Sequence, residues 1–200
     1  MAFIFQKLAS KGMPAGIDKN NVLQSRDWFR SIAQRVTSVD VSKFQSEEPK
    51  RLESAITSRS IGKMYSFFYD AKNKSTLPYW DRFPLVFPIE IYDDGFLGIN
   101  LHYLPHKLRA KLMDALYNNI NNNKLNETTK IVLSYKILAG SSRYSYFKPC
   151  VKRYLTKHVR SKFMYISPRE WDMALMLPTE KFVGASTSYV HSESSKMVSR

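Results

Sequence analysis

Few residues of this 200-residue chain have the types and spacing that chemistry needs. Glu90, Asp93 and Asp94 lie close together, with Lys63 placed to face them across a sheet. Carboxylates converging on a divalent cation would make a metal-dependent nuclease. The same Asp93-Asp94-Gly95 run also reads as plain turn chemistry, which is the preferred reading. Asp70 and Asp81 bracket a polar loop and read as turn caps. His102 and His106 stand four apart, but Pro105 intervenes at a strand-to-helix junction, so a surface or structural role is expected rather than a metal. Cys150 has basic neighbours, which lower a thiol's pKa, yet no histidine adjoins it, and a buried structural thiol is expected. His158 reads as a half-buried histidine. There is no glycine-rich phosphate loop and no Cys/His group with zinc spacing. The expectation is a non-enzymatic protein with no catalytic residue, no metal and no cofactor.

What the chain advertises instead is electrostatic. It carries a net charge of +14. Between residues 105 and 163, thirteen Lys/Arg stand against two acids, Asp114 and Glu127, a net of +11. An ordinary solvated helix interleaves both signs. A one-sided surface repels itself, and a polyanion nearby turns that cost into affinity by releasing counterions. Lys107, Arg109, Lys111, Arg143, Lys148, Lys152, Arg153, Lys157, Arg160 and Lys162 are the expected contacts to nucleic acid or to an acidic partner. Tyr144, Tyr146, Phe147 and Tyr154 lie among these cations and suit either base stacking or, preferentially, core packing. No base-reading motif is present, so contact with DNA should be nonspecific in sequence.

Hydrophobic content of 44% and an aromatic share of 14% are enough for one domain with arms. A single cysteine excludes an internal disulfide framework and fits a reducing compartment. No apolar run approaches the ~20 residues of a membrane helix, and the start has no signal-peptide pattern. These features imply a soluble protein kept in a cytoplasm or inside a particle, with no membrane partner.

Elements must position the charge. Residues 1–20 read as an arm broken at Met13-Pro14-Ala15-Gly16, 21–37 as a helix, and 38–60 as a linker with one short helix. Strands are expected at 64–69, 85–91 and 96–103, with a tight turn at Tyr92-Asp93-Asp94-Gly95. Pro88 makes the second strand an edge or a bulged one. Helices are expected at 105–120, 128–139 and 149–159; the last turns Val151, Tyr154, Leu155, His158 and Val159 to the core and its cations outward. Ser167-Pro168-Arg169-Glu170 is a capping box that opens a short helix, which Pro178 stops. The polar stretch 192–200 reads as a tail that neighbours hold in order. The fold class is therefore α+β: a small twisted antiparallel sheet or partial barrel at about 61–104, surrounded by helices. The division is an arm and helix at 1–60, a core at 61–180 and a tail at 181–200.

The runs KMYSFFYD at 63–70, LPYWDRFP at 77–84 and GFLGINLHYLP at 95–105, with ISPREW at 166–171 and Leu177-Pro178, resemble a family of virion-associated proteins of T4-like tailed bacteriophages. That family is described as DNA end protectors or as small tail and baseplate proteins. The resemblance covers roughly 61–180. Its motifs are turns, prolines and aromatics, so it transfers no active-site residue. It implies a non-enzymatic structural component of a phage virion, in the tail, baseplate or head–tail region. Such a protein is made in the host bacterial cytoplasm and contacts other virion subunits, with a basic surface facing DNA or an acidic subunit. Two alternatives stand beside it: a nonspecific DNA-binding protein that protects DNA ends, and the metal-dependent nuclease.

Overall fold

A computed structural model describes residues 52–109, 112, 113, 129, 132, 147–167, 171–176 and 178–199. The expected arm and helix before residue 38, most of the helices at 105–120 and 128–139, and the capping residues 168–170 lie outside the described residues.

The clearest element is a hairpin. Strand β4 (Leu85–Tyr92) pairs antiparallel with β5 (Gly95–Asn100), and the closing pair Tyr92↔Gly95 leaves Asp93 and Asp94 as the two-residue turn. The turn does not use left-handed backbone: among the described residues only Gly62 and Gly184 have positive φ. Gly95 is required for a different reason. A Cβ there would collide with the carbonyl oxygen of Tyr154 and the Cα of Leu155, on the strand that crosses it. Pro88 lies inside the sheet, and the register shifts between Pro88 and Glu90, so the proline is accommodated by a bulge. Its carbonyl accepts the Gly62 N–H at 2.8 Å.

Around the hairpin the sheet has six antiparallel strands in the order β1-β7-β2-β4-β5-β6. Here β1 is Leu52–Glu53, β2 Met64–Ser66, β6 Val151–Leu155 and β7 Phe163–Ile166. A second ribbon pairs β3 (Trp80–Asp81) with β8 (Phe182–Val183). The helix-wrapped α+β expectation is thus overturned. Eight strands in two sheets draw on the chain from Leu52 to Val183. Among the described residues one helix exceeds six residues, Thr187–Ser199. We call it α3, after the short α1 (Phe147–Cys150) and α2 (Trp171–Met176).

The helix expected at 149–159 is replaced by the last residues of α1, then β6 and a 3-10 turn at Thr156–His158. Val151, Tyr154 and Leu155 fit the helical spacing, but β-branched and aromatic residues fit a strand as well. The partner decides. β5 offers glycines at 95 and 98, and β6 pairs there as Gly95↔Leu155, Phe96↔Tyr154 and Gly98↔Lys152. Five backbone pairs on a glycine-relieved strand outweigh a short helix. The polar stretch beyond 191 is also regular. It forms the end of α3, which buries Val190 and Ser194 and sets His191 Nε2 2.9 Å from the His102 carbonyl.

The core is aromatic. Phe67, just after β2, packs edge-on against Phe163 of β7 at 4.9 Å, Tyr154 of β6 at 5.3 Å and Phe96 of β5 at 5.9 Å between ring centres. One ring thus joins strands from both sides of the sheet, which must curl to bring them there. Behind β4, Trp171 of α2 packs on Phe87 at 5.0 Å and donates its indole N–H to the Ile166 carbonyl at 3.0 Å.

Candidate nucleic-acid interface

A strand alternates its faces, so β6 sends its two central cations in opposite directions. Lys152 shares a face with buried Tyr154, and it lies opposite Gly98, where no side chain stands in its way. Its ammonium is half-buried, 4.1 Å from the centre of the Tyr103 ring. Burial pushes its pKa below the usual lysine range. Arg153 points the other way, over the Tyr92 ring at 4.1 Å and onto the Asp94 carboxylate.

Two open clefts lie on this side of the molecule. The first, about 320 Å³, runs between the 71–77 loop, β3 and β6. Its walls carry Tyr69, Tyr79, Trp80 and Tyr103 together with Lys72, Lys152 and Arg153. The second, about 680 Å³, shares Tyr69 and Trp80 and adds Lys74, Arg82 and Arg160. Asp70 is the acid of the second cleft. It pairs with Lys74 at 3.1 Å and Arg160 at 3.4 Å, and the Lys74 hydrogen bond holds its carboxyl below the usual range. Lys72, Arg82, Lys152, Lys157 and Lys162 have no carboxylate within ion-pair distance among the described residues. Cations left without acids beside the half-buried rings of Tyr79 and Trp80 can hold phosphates and stack bases.

The ten cations expected as contacts separate. Lys107, Lys148, Arg153, Lys157, Arg160 and Lys162 are exposed, and Lys152 is half-buried in the first cleft. Lys111 and Arg143 lie outside the described residues. Arg109 is a correction: it is fully buried and cannot reach a ligand. Its guanidinium donates to the carbonyls of Leu104 at 2.6 Å, Leu175 at 3.0 Å and His102 at 3.3 Å, and pairs with Glu180 at 3.2 Å. Burial alone would raise the Glu180 carboxyl, but Arg109 overrides it and holds the pKa at about 2. Burial, with Arg109 adding to it, lowers His106 to about 4 and depresses His191. Conversely, the charge count over 105–163 omitted Lys72, Lys74 and Arg82, which lie earlier in the chain. Lys72 and Lys74 flank Asn73 in the loop before the LPYWDRFP run, and that proximity is the signal that would have found them.

The clefts rest on a buried polar seam. Asp81 of β3 takes the Asn100 side-chain amide at 3.1 Å and the His102 ring at 2.7 Å on one oxygen. Its other oxygen takes the backbone N–H groups of Phe83 at 3.0 Å and Lys181 at 3.2 Å. His102 reaches Thr179 with its second nitrogen at 3.0 Å. The Asp–His–Thr order resembles a nucleophilic triad, but all three side chains are buried, so the arrangement ties β3, the β5 end and the 178–183 segment together.

The sequence's metal candidates do not converge. Glu90 is exposed on β4, Asp93 is in the turn and Asp94 is held by Arg153. Lys63 rests over the Tyr165 ring at 5.9 Å. Among the described residues no group of three or more His, Cys, Asp and Glu could hold a metal. Cys150 is buried, and burial pushes its thiol up to about 12, away from reactivity. His158 is half-buried, with Nδ1 2.9 Å from the Asp70 carbonyl. No helix of the described residues is long and apolar enough to cross a membrane.

No curated protein and no solved structure matches the chain. A family model does match, over residues 6–198, and its description is phage T4 terminal DNA protecting protein. That description names protection of DNA and no reaction. It favours the end-protecting alternative over a tail or baseplate part. Matched over nearly its whole length, the chain belongs to the phage T4 terminal DNA-protecting protein family.

Proposed function

We propose that this protein binds the ends of double-stranded DNA without sequence preference and shields them from exonucleases by occupying them. The observation that carries the reading is the set of cations with no acid beside them around two aromatic-walled clefts, in a chain of a DNA-protecting family. Lys72, Arg82, Lys152, Lys157 and Lys162 would neutralise phosphates, joined by Arg160 on exchanging its Asp70 partner for one, while the 1–60 arm would hold the protein to neighbouring subunits of the virion. No chemical step is involved; the protein acts by steric exclusion.

Two measurements test the reading. Fluorescence anisotropy across a salt series should give a log–log slope of roughly −5 to −7 if six to eight phosphates are neutralised. Linear duplex incubated with a purified exonuclease should survive in proportion to end occupancy. A flat salt response, or digestion at the unprotected rate when the DNA is saturated, would reassign the charge to an acidic protein partner.

A further inference from the structure

The first cleft differs from the rest of the basic face in holding a desolvated cation. Lys157 and Lys162 extend into water, where an ammonium needs no partner. Lys152 does not. Its ammonium is half-buried against Tyr103, and no acid among the described residues compensates it. The nearest arginine in sequence, Arg153, is already committed to Asp94. Asp81, the one carboxylate lining the cleft, is buried with both oxygens bonded to protein donors. A second group is also incomplete: the Trp80 indole N–H is buried without an acceptor among the described residues. A half-buried cation and an orphan donor among aromatic walls call for an anionic, flat, acceptor-rich ligand.

We infer that this cleft receives one terminal nucleotide of a DNA strand, its phosphate on Lys152 and Lys72 and its base against Tyr79 and Trp80. The inference rests on the end-binding reading above and says how an end is told from the interior of a duplex. Inside a duplex every base is stacked on both faces and paired, so its ring enters a protein cleft only after both stacks and the pair are broken. At a terminus one face is already free, and displacing the last nucleotide costs only a few kcal/mol. The cleft, at about 320 Å³, lies at the small end of ligand sites and suits one nucleotide rather than a duplex. Stacking on tyrosine and tryptophan accepts any base, which keeps recognition free of sequence. An anion beside Lys152 would also oppose the effect of burial and favour its charged form.

The test compares one duplex with open ends and the same duplex closed by covalent hairpin loops at both ends, by anisotropy at fixed salt. The native protein should prefer the open form. Lys152→Gln should lose roughly 10-fold on open ends, the scale of one charged hydrogen bond, and nothing on closed duplex. Leu77→Glu, at the exposed rim of the cleft, places an acid there without touching the core and should give the same selective loss. Lys157→Gln should weaken both forms alike. If Lys152→Gln and Leu77→Glu keep the native preference, or weaken both duplexes equally, the cleft is not the end site although end binding stands. If the native protein itself shows no preference, the end-binding reading fails and the cleft proposal with it. Duplexes with a 5′ phosphate or a 5′ hydroxyl distinguish a terminal phosphate from the first internucleotide one; a selective loss on either supports the cleft.

Discussion

Arg109 and Lys152 come from the same basic stretch of sequence, and the structure puts them to opposite uses. Arg109 is buried and answered on every side, by three carbonyls and Glu180. Lys152 is half-buried and answered by one aromatic ring. Counting charge cannot separate them. Counting partners can: a cation whose donors are all satisfied holds a fold, and one left unsatisfied at a cleft awaits a ligand.

That contrast can be broken most forcefully at Arg109. Arg109→Met leaves Glu180 buried without its cation and should cost about 3–5 kcal/mol of stability in chemical denaturation. The DNA affinity of the remaining folded protein should not change. A loss under about 1 kcal/mol would mean that the Arg109–Glu180 pair does not hold the fold.

The strand assignment of β6 comes next. Tyr154 is buried in the aromatic core, whereas Leu155 is only half-buried. Tyr154→Ala should cost about 3–5 kcal/mol and Leu155→Ala clearly less. The reverse order in thermal melts would turn β6 over and take Lys152 out of its cleft.

The exposed cations give a smaller effect on stability and a readable one on binding. Replacing Lys157, Arg160 and Lys162 together with Gln should change folding by at most about 1 kcal/mol per residue. The same triple variant should flatten the salt dependence of DNA binding by about 3 in slope, since each lost phosphate contact removes roughly 0.9. An unchanged slope would remove these residues from the interface.

The mildest perturbation is pH. His106 titrates at about 4 in the fold against about 6.5 unfolded, so between those values the unfolded chain binds more protons. Stability should be full above about pH 6.5 and fall as pH drops towards 4, with depressed His191 acting in the same direction. Glu180, at about 2 in the fold, adds a further loss once pH passes below its unfolded value of about 4.3. Melting temperatures from pH 7 to 4 should therefore decline by several degrees, and Arg109→Met, which leaves the burial of His106 and His191 in place, should lessen that decline without abolishing it.

Much of the hairpin was legible because its information is local. Two short apolar runs on either side of a two-residue turn require nothing from elsewhere, and Pro88 announced an edge or a bulge, of which the structure has the bulge. The β6 strand was not legible. Val151, Tyr154, Leu155, His158 and Val159 recur as a helix face would, and what overrides them is Gly95 and Gly98, more than fifty residues upstream. The candidate site divided in the same way. A run of cations is visible in one dimension, so Lys152, Lys157, Arg160 and Lys162 could be named as candidates. The cleft also needs Lys72, Tyr79 and Trp80, which only the fold brings to β6. Nothing in the sequence marked Arg109 as different from its neighbours, because burial is a property of the packed chain.

The position of β6 at the end of the sheet has one further consequence. Beyond it no strand pairs among the described residues, and an open strand edge is a template on which another chain can polymerise. Here the edge is guarded. The Tyr69 hydroxyl accepts the outward Leu155 N–H at 3.3 Å, and two consecutive basic residues stand on the strand that any copy would have to approach. Lys152 and Arg153 thus act as gatekeepers of solubility. Changing both to Val should lower the concentration at which light scattering first detects aggregates, and a variant as soluble as the parent would show that the Tyr69 guard suffices without the charge.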